Sequence, residues 1–140
     1  MTVLYKTSAT ASAGRNGNVA TDDGLLDVAL SYPKALGGTG EATNPEQLFA
    51  AGYSACFSNA ILHVASQQKL GLKQAPTKAT VALKPNAEGG FVLEVALDVN
   101  LEMDDEAALA LVRVAHQVCP YSNAIRGNVD VAVTANGQAI

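Results

Sequence analysis

Between Gln47 and Gln68 the chain reads QLFAAGYSACFSNAILHVASQQ, 22 residues without an Asp, Glu, Lys or Arg. A run this long either crosses a membrane or becomes a buried helix. Ser54, Ser58, Asn59, His63, Ser66 and three glutamines are each costly in lipid, and no comparable second segment exists. The run is therefore read as a core helix of a soluble protein, with no membrane partner. Asn44 is placed to act as its N-cap, Pro45 fits the first helical position, and Gln47 stands where a capping-box residue reaches back. Gly71 marks its end. Because the run is apolar or small nearly all round, the helix is expected to be covered on most sides.

A second helix is signalled by DDEAALALVRVAHQVC, where Asp104 to Glu106 favour the positive end of the helix dipole. Pro120 stops or restarts it, and CPYSNAIRGN reads as a short helical turn with Cys119 at its cap and Gly127 beyond its end. The segments TVLYKTSATA and LLDVALSYP read as strands, and Asn16-Gly17 signals a hairpin into a second strand near Val19. ATVALKP and FVLEVALDVNL flank a turn at residues 86–90, and NVDVAVTA is a last strand. This order predicts an α+β fold, with strand-rich sheets packed on two helices. At 140 residues, 49% apolar and 16% charged, the chain is most economically a single domain over residues 1–140.

A net charge of −4 argues against a nucleic-acid partner. The first residues, MTVLYKTSATASAG, lack the charged and apolar regions of a signal peptide, so a cytoplasmic protein is expected. In that reducing compartment Cys56 and Cys119 are inert core thiols or working ones, not a permanent disulfide. His116 and Cys119 stand three apart and could share a metal, but Cys56 and His63 are two helical turns apart, about 10 Å, too far for one ion. A reactive thiol needs a cation, a helix N-terminus or a metal beside it. Cys56 lies deep in its helix, whereas Cys119 opens a short turn, so local physics alone favours Cys119. A cysteine on an alanine-rich helix is also commonly just a small buried hydrophobe, and His63 and His116 are read as satisfied helix histidines. Gly52 is read as a packing contact. Asp22, Asp23 and Asp27 form an acidic patch that reads as a solvated loop.

TNPEQLFAAGYSACF at 43–57 and VCPYSNAIRGN at 118–128 resemble the two signature segments of the organic hydroperoxide resistance proteins, within the OsmC-like family. Residues 4–38 resemble that family's N-terminal region, with Arg15 just before the Asn-Gly turn. The resemblance implies an OsmC-like fold, antiparallel-rich sheets around two main helices, in an intertwined homodimer with active sites at the subunit interface. It implies that Cys56 is the peroxidatic thiol and Cys119 the resolving thiol. Arg15 would stabilise the thiolate and polarise the peroxide, and Glu46 would hold Arg15. Phe49, Tyr53, Phe57 and Tyr121 are candidate lining residues. The implied cycle runs through a Cys56 sulfenic acid and a Cys56–Cys119 disulfide that an external dithiol, a lipoyl group on a protein, reduces. No metal, haem or flavin is implied. The apolar setting of Cys56 raises its pKa, so a useful thiolate forms only where Arg15 docks, and the same lining suits a bulky organic peroxide. Glu46 and Cys56 are ten residues apart, about 15 Å along a straight helix, and a guanidinium between them could pair with both. The turn AGRNGN is glycine-flanked, which suits an arginine that moves during the cycle. The alternatives are an OsmC-like peroxidase of another substrate range and a non-catalytic or metal-binding domain of the same fold.

Overall fold

The long apolar helix, α1 (Pro45–Gln67), begins where its capping residues place it. In the computed structural model of the chain, which describes residues 1–140, the Gln47 backbone N–H donates to Asn44 Oδ1 at 3.0 Å. That bond satisfies one of the orphan donors of the first turn. The Gln47 side chain does not close a capping box; its Oε1 accepts instead from the Thr43 hydroxyl at 2.7 Å. The other end also departs from expectation. Lys69 rather than Gly71 takes up the exit, with φ 56°. The Leu70 N–H donates to the Ala65 carbonyl at 3.0 Å and the Lys69 N–H to that of Ser66 at 3.1 Å. These are the paired bonds of a Schellman motif, whose left-handed position strongly favours glycine because a Cβ there crowds the backbone.

The backbone groups into two units, Met1–Leu48 and Phe49–Ile140. In the first, β1 (Ala9–Ala11), β2 (Asn18–Thr21) and β3 (Asp27–Ala29) form an antiparallel sheet in that order. The hairpin expected at Asn16-Gly17 exists, but its turn is of a different kind. Gly14–Asn16 form a 3₁₀ turn, and Gly17 has φ −103°, not the left-handed backbone of a tight two-residue hairpin. Glycine is needed there for a close approach: a Cβ would lie 2.6 Å from Ser12 Oγ and 2.7 Å from the Ala13 nitrogen. The strand expected over residues 2–11 shrinks to β1, because residues 2–7 meet no neighbouring strand, and Val3, Leu4 and Tyr5 stand exposed.

In the second unit β4 (Thr77–Pro85) and β5 (Phe91–Val99) form the expected hairpin. Asn86 Oδ1 ties its turn, accepting from the Gly90 N–H at 2.7 Å and the Glu88 N–H at 3.1 Å. The sheet continues through β6 (Val131–Ala135) to a short β7 (Gln138–Ala139) that the sequence reading did not anticipate. Strands β5 and β6 are parallel, so the chain must cross over between them. Helices α2 (Asp105–Val118) and α3 (Pro120–Ile125) make that crossover, α2 capped by Asp104 Oδ2, which accepts from the Ala107 N–H at 3.2 Å. Alternate residues Val95, Leu97 and Val99 of β5 join Tyr53, Phe57, Ile61 and Val64 of α1 and Leu111, Val112 and Ala115 of α2 in one buried cluster.

The architecture is the expected α+β one, antiparallel but for one pair of strands. Helix α1 is long and apolar enough to cross a membrane, yet its bulky side chains lie in this cluster. Within one chain the cover expected on most sides is supplied on one face, and Ala51, Ala55, Asn59 and His63 along the opposite face are exposed. The apolar character of that face comes largely from alanines, which expose little surface to water.

The Schellman position yields a stability prediction. Lys69→Gly relieves the left-handed strain and should stabilise the protein by about 1 kcal/mol. Urea denaturation should show a higher midpoint at unchanged slope. An unchanged or lower midpoint would mean that the lysine side chain compensates for its backbone.

Candidate active site

Cys119 sits between two helices, closing α2 and opening α3. Its N–H donates to the Ala115 carbonyl at 2.8 Å as the last bond of α2, and Pro120 then takes the first position of α3. A proline cannot continue the α2 ladder but fits the start of a new helix, which is why the chain turns here. Cys119 is wholly buried, and Cys56 on α1 is half-buried. Both thiols are free, and the Cys119 thiol donates to Cys56 Sγ across 3.6 Å. Burial pushes the Cys56 thiol up, and the neighbouring Cys119 adds to that; the Tyr121 backbone amide acts in the opposite direction.

The ring of Tyr121 lies over Gly52, one helical turn before Cys56. A Cβ at Gly52 would stand 3.0 Å from Tyr121 Oη and 3.1 Å from its Cε2, so the glycine is a packing contact as expected. The four candidate lining residues divide into two kinds. Tyr53 and Phe57 are fully buried core residues with no free surface for a ligand. Phe49 and Tyr121 keep exposed surface, their ring centroids 6.4 Å apart.

In the first unit Arg15 and Glu46 form a bidentate pair. Arg15 Nη1 donates to Glu46 Oε2 at 2.7 Å and Nη2 donates to Oε1 at 2.6 Å. The fork geometry suits a guanidinium and could not be reproduced by lysine. The pair is only about one-fifth exposed, 23% and 18% by side chain. The guanidinium holds the Glu46 carboxyl below the usual carboxylate range, against the opposing effect of burial. Glu46 in turn raises the Arg15 pKa, so the arginine stays charged throughout the physiological range.

The remaining candidates take structural places. No three His, Cys, Asp or Glu side chains come together as a metal-binding group, and His63 is exposed. His116 Nδ1 pairs at 2.8 Å with the hydroxyl of Ser122, which also lies 2.6 Å from Tyr53 Oη. This polar chain has no local signal. A serine three residues beyond Cys119 gives no sign in the sequence of partners that come from two other helices. Asp23 serves its own turn, accepting from the Thr21 hydroxyl, whereas Asp27 lies in β3 rather than in the expected loop and accepts from Asn18 Nδ2 of β2, both at 2.8 Å.

Residues 38–134 match the family described as OsmC-like protein. An organic hydroperoxide resistance protein of Xanthomonas axonopodis pv. citri is 50% identical over 135 residues, covering 94% of each chain. A Vibrio cholerae structure assigned to organic hydroperoxide resistance, with captopril bound in one of its active sites, is 64% identical. It has a TM-score of 0.98 over 100% of this chain and 97% of that one. The OhrB structure of Bacillus subtilis is 44% identical, with a TM-score of 0.86 over 95% of this chain and 99% of that one.

The Arg15–Glu46 pair should show itself in the acid limb of stability. A depressed carboxyl pKa stabilises the folded state above the unfolded value, about 4.3, and that contribution is lost as pH falls through the lower folded value. Glu46→Gln should therefore cost about 1 kcal/mol at pH 7 and progressively less below pH 4, measured by urea denaturation. A difference from wild type that stays constant down to pH 3 would mean that the charge of Glu46 contributes nothing.

Proposed function

Because the chain belongs to the organic hydroperoxide resistance proteins of the OsmC-like family, we propose that it is a cytoplasmic thiol peroxidase that reduces alkyl or lipid hydroperoxides to alcohols. The observation that supports this most is the contact between Cys56 and Cys119, 3.6 Å apart at the junction of three helices. A half-exposed thiol touching a buried one suits a division of labour, the first meeting the peroxide and the second completing the disulfide.

The Cys56 thiolate attacks the terminal oxygen of the hydroperoxide, and the O–O bond breaks. The alkoxide leaves and takes up a proton as the alcohol, while Cys56 becomes a sulfenic acid. Cys119 then attacks that sulfur; water leaves, and the two electrons that reduced the peroxide are accounted for by the new disulfide. An external dithiol, for which a lipoyl group on a protein is the proposed source, restores both thiols by exchange.

Burial disfavours the Cys56 thiolate, so the first step needs a positive charge brought to the sulfur. Arg15 is the proposed source, held and oriented by Glu46, which opens the helix carrying Cys56. The apolar surroundings of the thiol favour an organic peroxide over hydrogen peroxide. The active unit is proposed to be a homodimer. The exposed face of α1 with Ala51 and Ala55, and the exposed Val3, Leu4 and Tyr5, are surfaces that a second copy would cover.

Reduced protein given one equivalent of cumene hydroperoxide, then alkylated and peptide-mapped, should lose two hydrogens in mass and link Cys56 to Cys119. Cys56→Ser should be inert, and Cys119→Ser should stop at oxidised Cys56. Arg15→Ala should slow peroxide consumption by about 100-fold, the scale of losing one preorganised charge partner. Two free thiols after exposure of the wild type would sink the peroxidase reading.

A further inference from the structure

Helix α3 has six residues, too few to be stable alone, yet it carries the thiol that must meet Cys56. Its fixing must come from tertiary bonds. One is external: Arg126 Nη2 donates to the His116 carbonyl at 2.6 Å, and Nη1 donates to Asn123 Oδ1, joining the end of α3 to the end of α2. The other is internal. Ser122 is 1% exposed, and its hydroxyl meets Tyr53 Oη at 2.6 Å and His116 Nδ1 at 2.8 Å.

We propose that Ser122, joined to Tyr53 and His116, is a positioning residue for the thiol–disulfide step, holding the Cys119 turn within reach of Cys56. The placement of the three side chains carries the inference. Tyr53 lies three residues before Cys56 on α1, Ser122 three residues after Cys119 on α3, and His116 three residues before Cys119 on α2. A single hydroxyl thus ties together the helix of one thiol and both helices that meet at the other. Cys119 makes no side-chain cap bond to α3, so the position of its sulfur depends on where the turn as a whole is held.

The hydrogen-bond inventory closes with a neutral histidine. With the Tyr53 O–H donating to Ser122 Oγ and the Ser122 O–H donating to an unprotonated His116 Nδ1, both hydroxyl protons have an acceptor. Burial and the Arg126 cation both hold the His116 pKa below its ordinary value, which keeps that acceptor available. Tyr53 and Ser122 are buried in the core, so a displacement of the turn would leave one of their hydroxyls unpaired away from water, and the pairing therefore favours one geometry. Neither thiol takes part in these bonds, so the chain can persist while the sulfurs join and separate.

The proposal rests on the thiol-pair reading above, and its test is independent of peroxide. Reduced protein equilibrated with mixtures of oxidised and reduced dithiothreitol exchanges two electrons and two protons with the reagent. The fraction of Cys56–Cys119 disulfide then measures how favourably the two thiols are held. Tyr53→Phe removes one oxygen and keeps the ring, so it is the variant most certain to fold, whereas Ser122→Ala orphans two groups at once. His116→Ala removes the acceptor, and His116→Asn places an amide group near the position of Nδ1. Tyr53→Phe and His116→Ala should each lower the equilibrium constant for disulfide formation about fivefold, while His116→Asn stays within twofold of wild type. If Tyr53→Phe and His116→Ala unfold at lower urea yet keep the wild-type constant, the chain is merely structural and the inference is overturned. A wild type inert to cumene hydroperoxide, with the variants still shifted in dithiothreitol, would overturn the peroxidase reading and leave this one standing.

Discussion

Much of the second unit depends on the burial of one face of α1. Tyr53, Phe57, Ile61 and Val64 recur at helical spacing, and all are buried. Full burial of each such side chain contributes about 1.5–3 kcal/mol before conformational entropy is counted. Against that face pack β5 and α2, and the end of α2 determines where Cys119 emerges. The same burial makes the neighbouring Cys56 a poor thiolate. Packing and reactivity are therefore opposed at one helix, and a thiol chemistry there requires a charge from elsewhere in the chain or from a second copy.

The sequence made the helices legible because their signals are local. Asn44, Pro45 and Asp104 act within one turn of where they stand, and Pro120 restarts the chain beside Cys119 as its missing N–H requires. What could not be read depends on partners distant in sequence. The parallel pairing of β5 with β6 is one example, since alternation in each strand says nothing about its neighbour. The exit of α1 at Lys69 is another. Gly71 is itself left-handed, at φ 67°, but the bonds back to Ala65 and Ser66 end the helix at Lys69, two positions earlier.

The candidate site was legible in a similarly divided way. Local physics favours Cys119 as the reactive thiol, because it opens a helix while Cys56 lies within one. The structure buries Cys119 completely and leaves Cys56 half accessible, a difference that only tertiary packing creates. The pairing of Arg15 with Glu46 was implied by family resemblance rather than by pattern, since 31 residues separate them. Tyr53 illustrates the limit of reading residue types. As an aromatic beside Cys56 it suits a lining role, yet its ring lies in the core and its hydroxyl in a polar chain.

Cys56 and Cys119 are 63 residues apart in sequence, and nearly the whole α1–β4–β5–α2 succession lies between them. Any bond between the sulfurs closes that stretch into a ring. In the folded chain little changes, because the ends already touch, but the unfolded chain loses the freedom to separate them. The chain-entropy estimate for a loop of this length is about 4 kcal/mol. A chain so bonded would be the harder of the two forms to unfold, and a reductant that opened the bond would return it to the more fragile form.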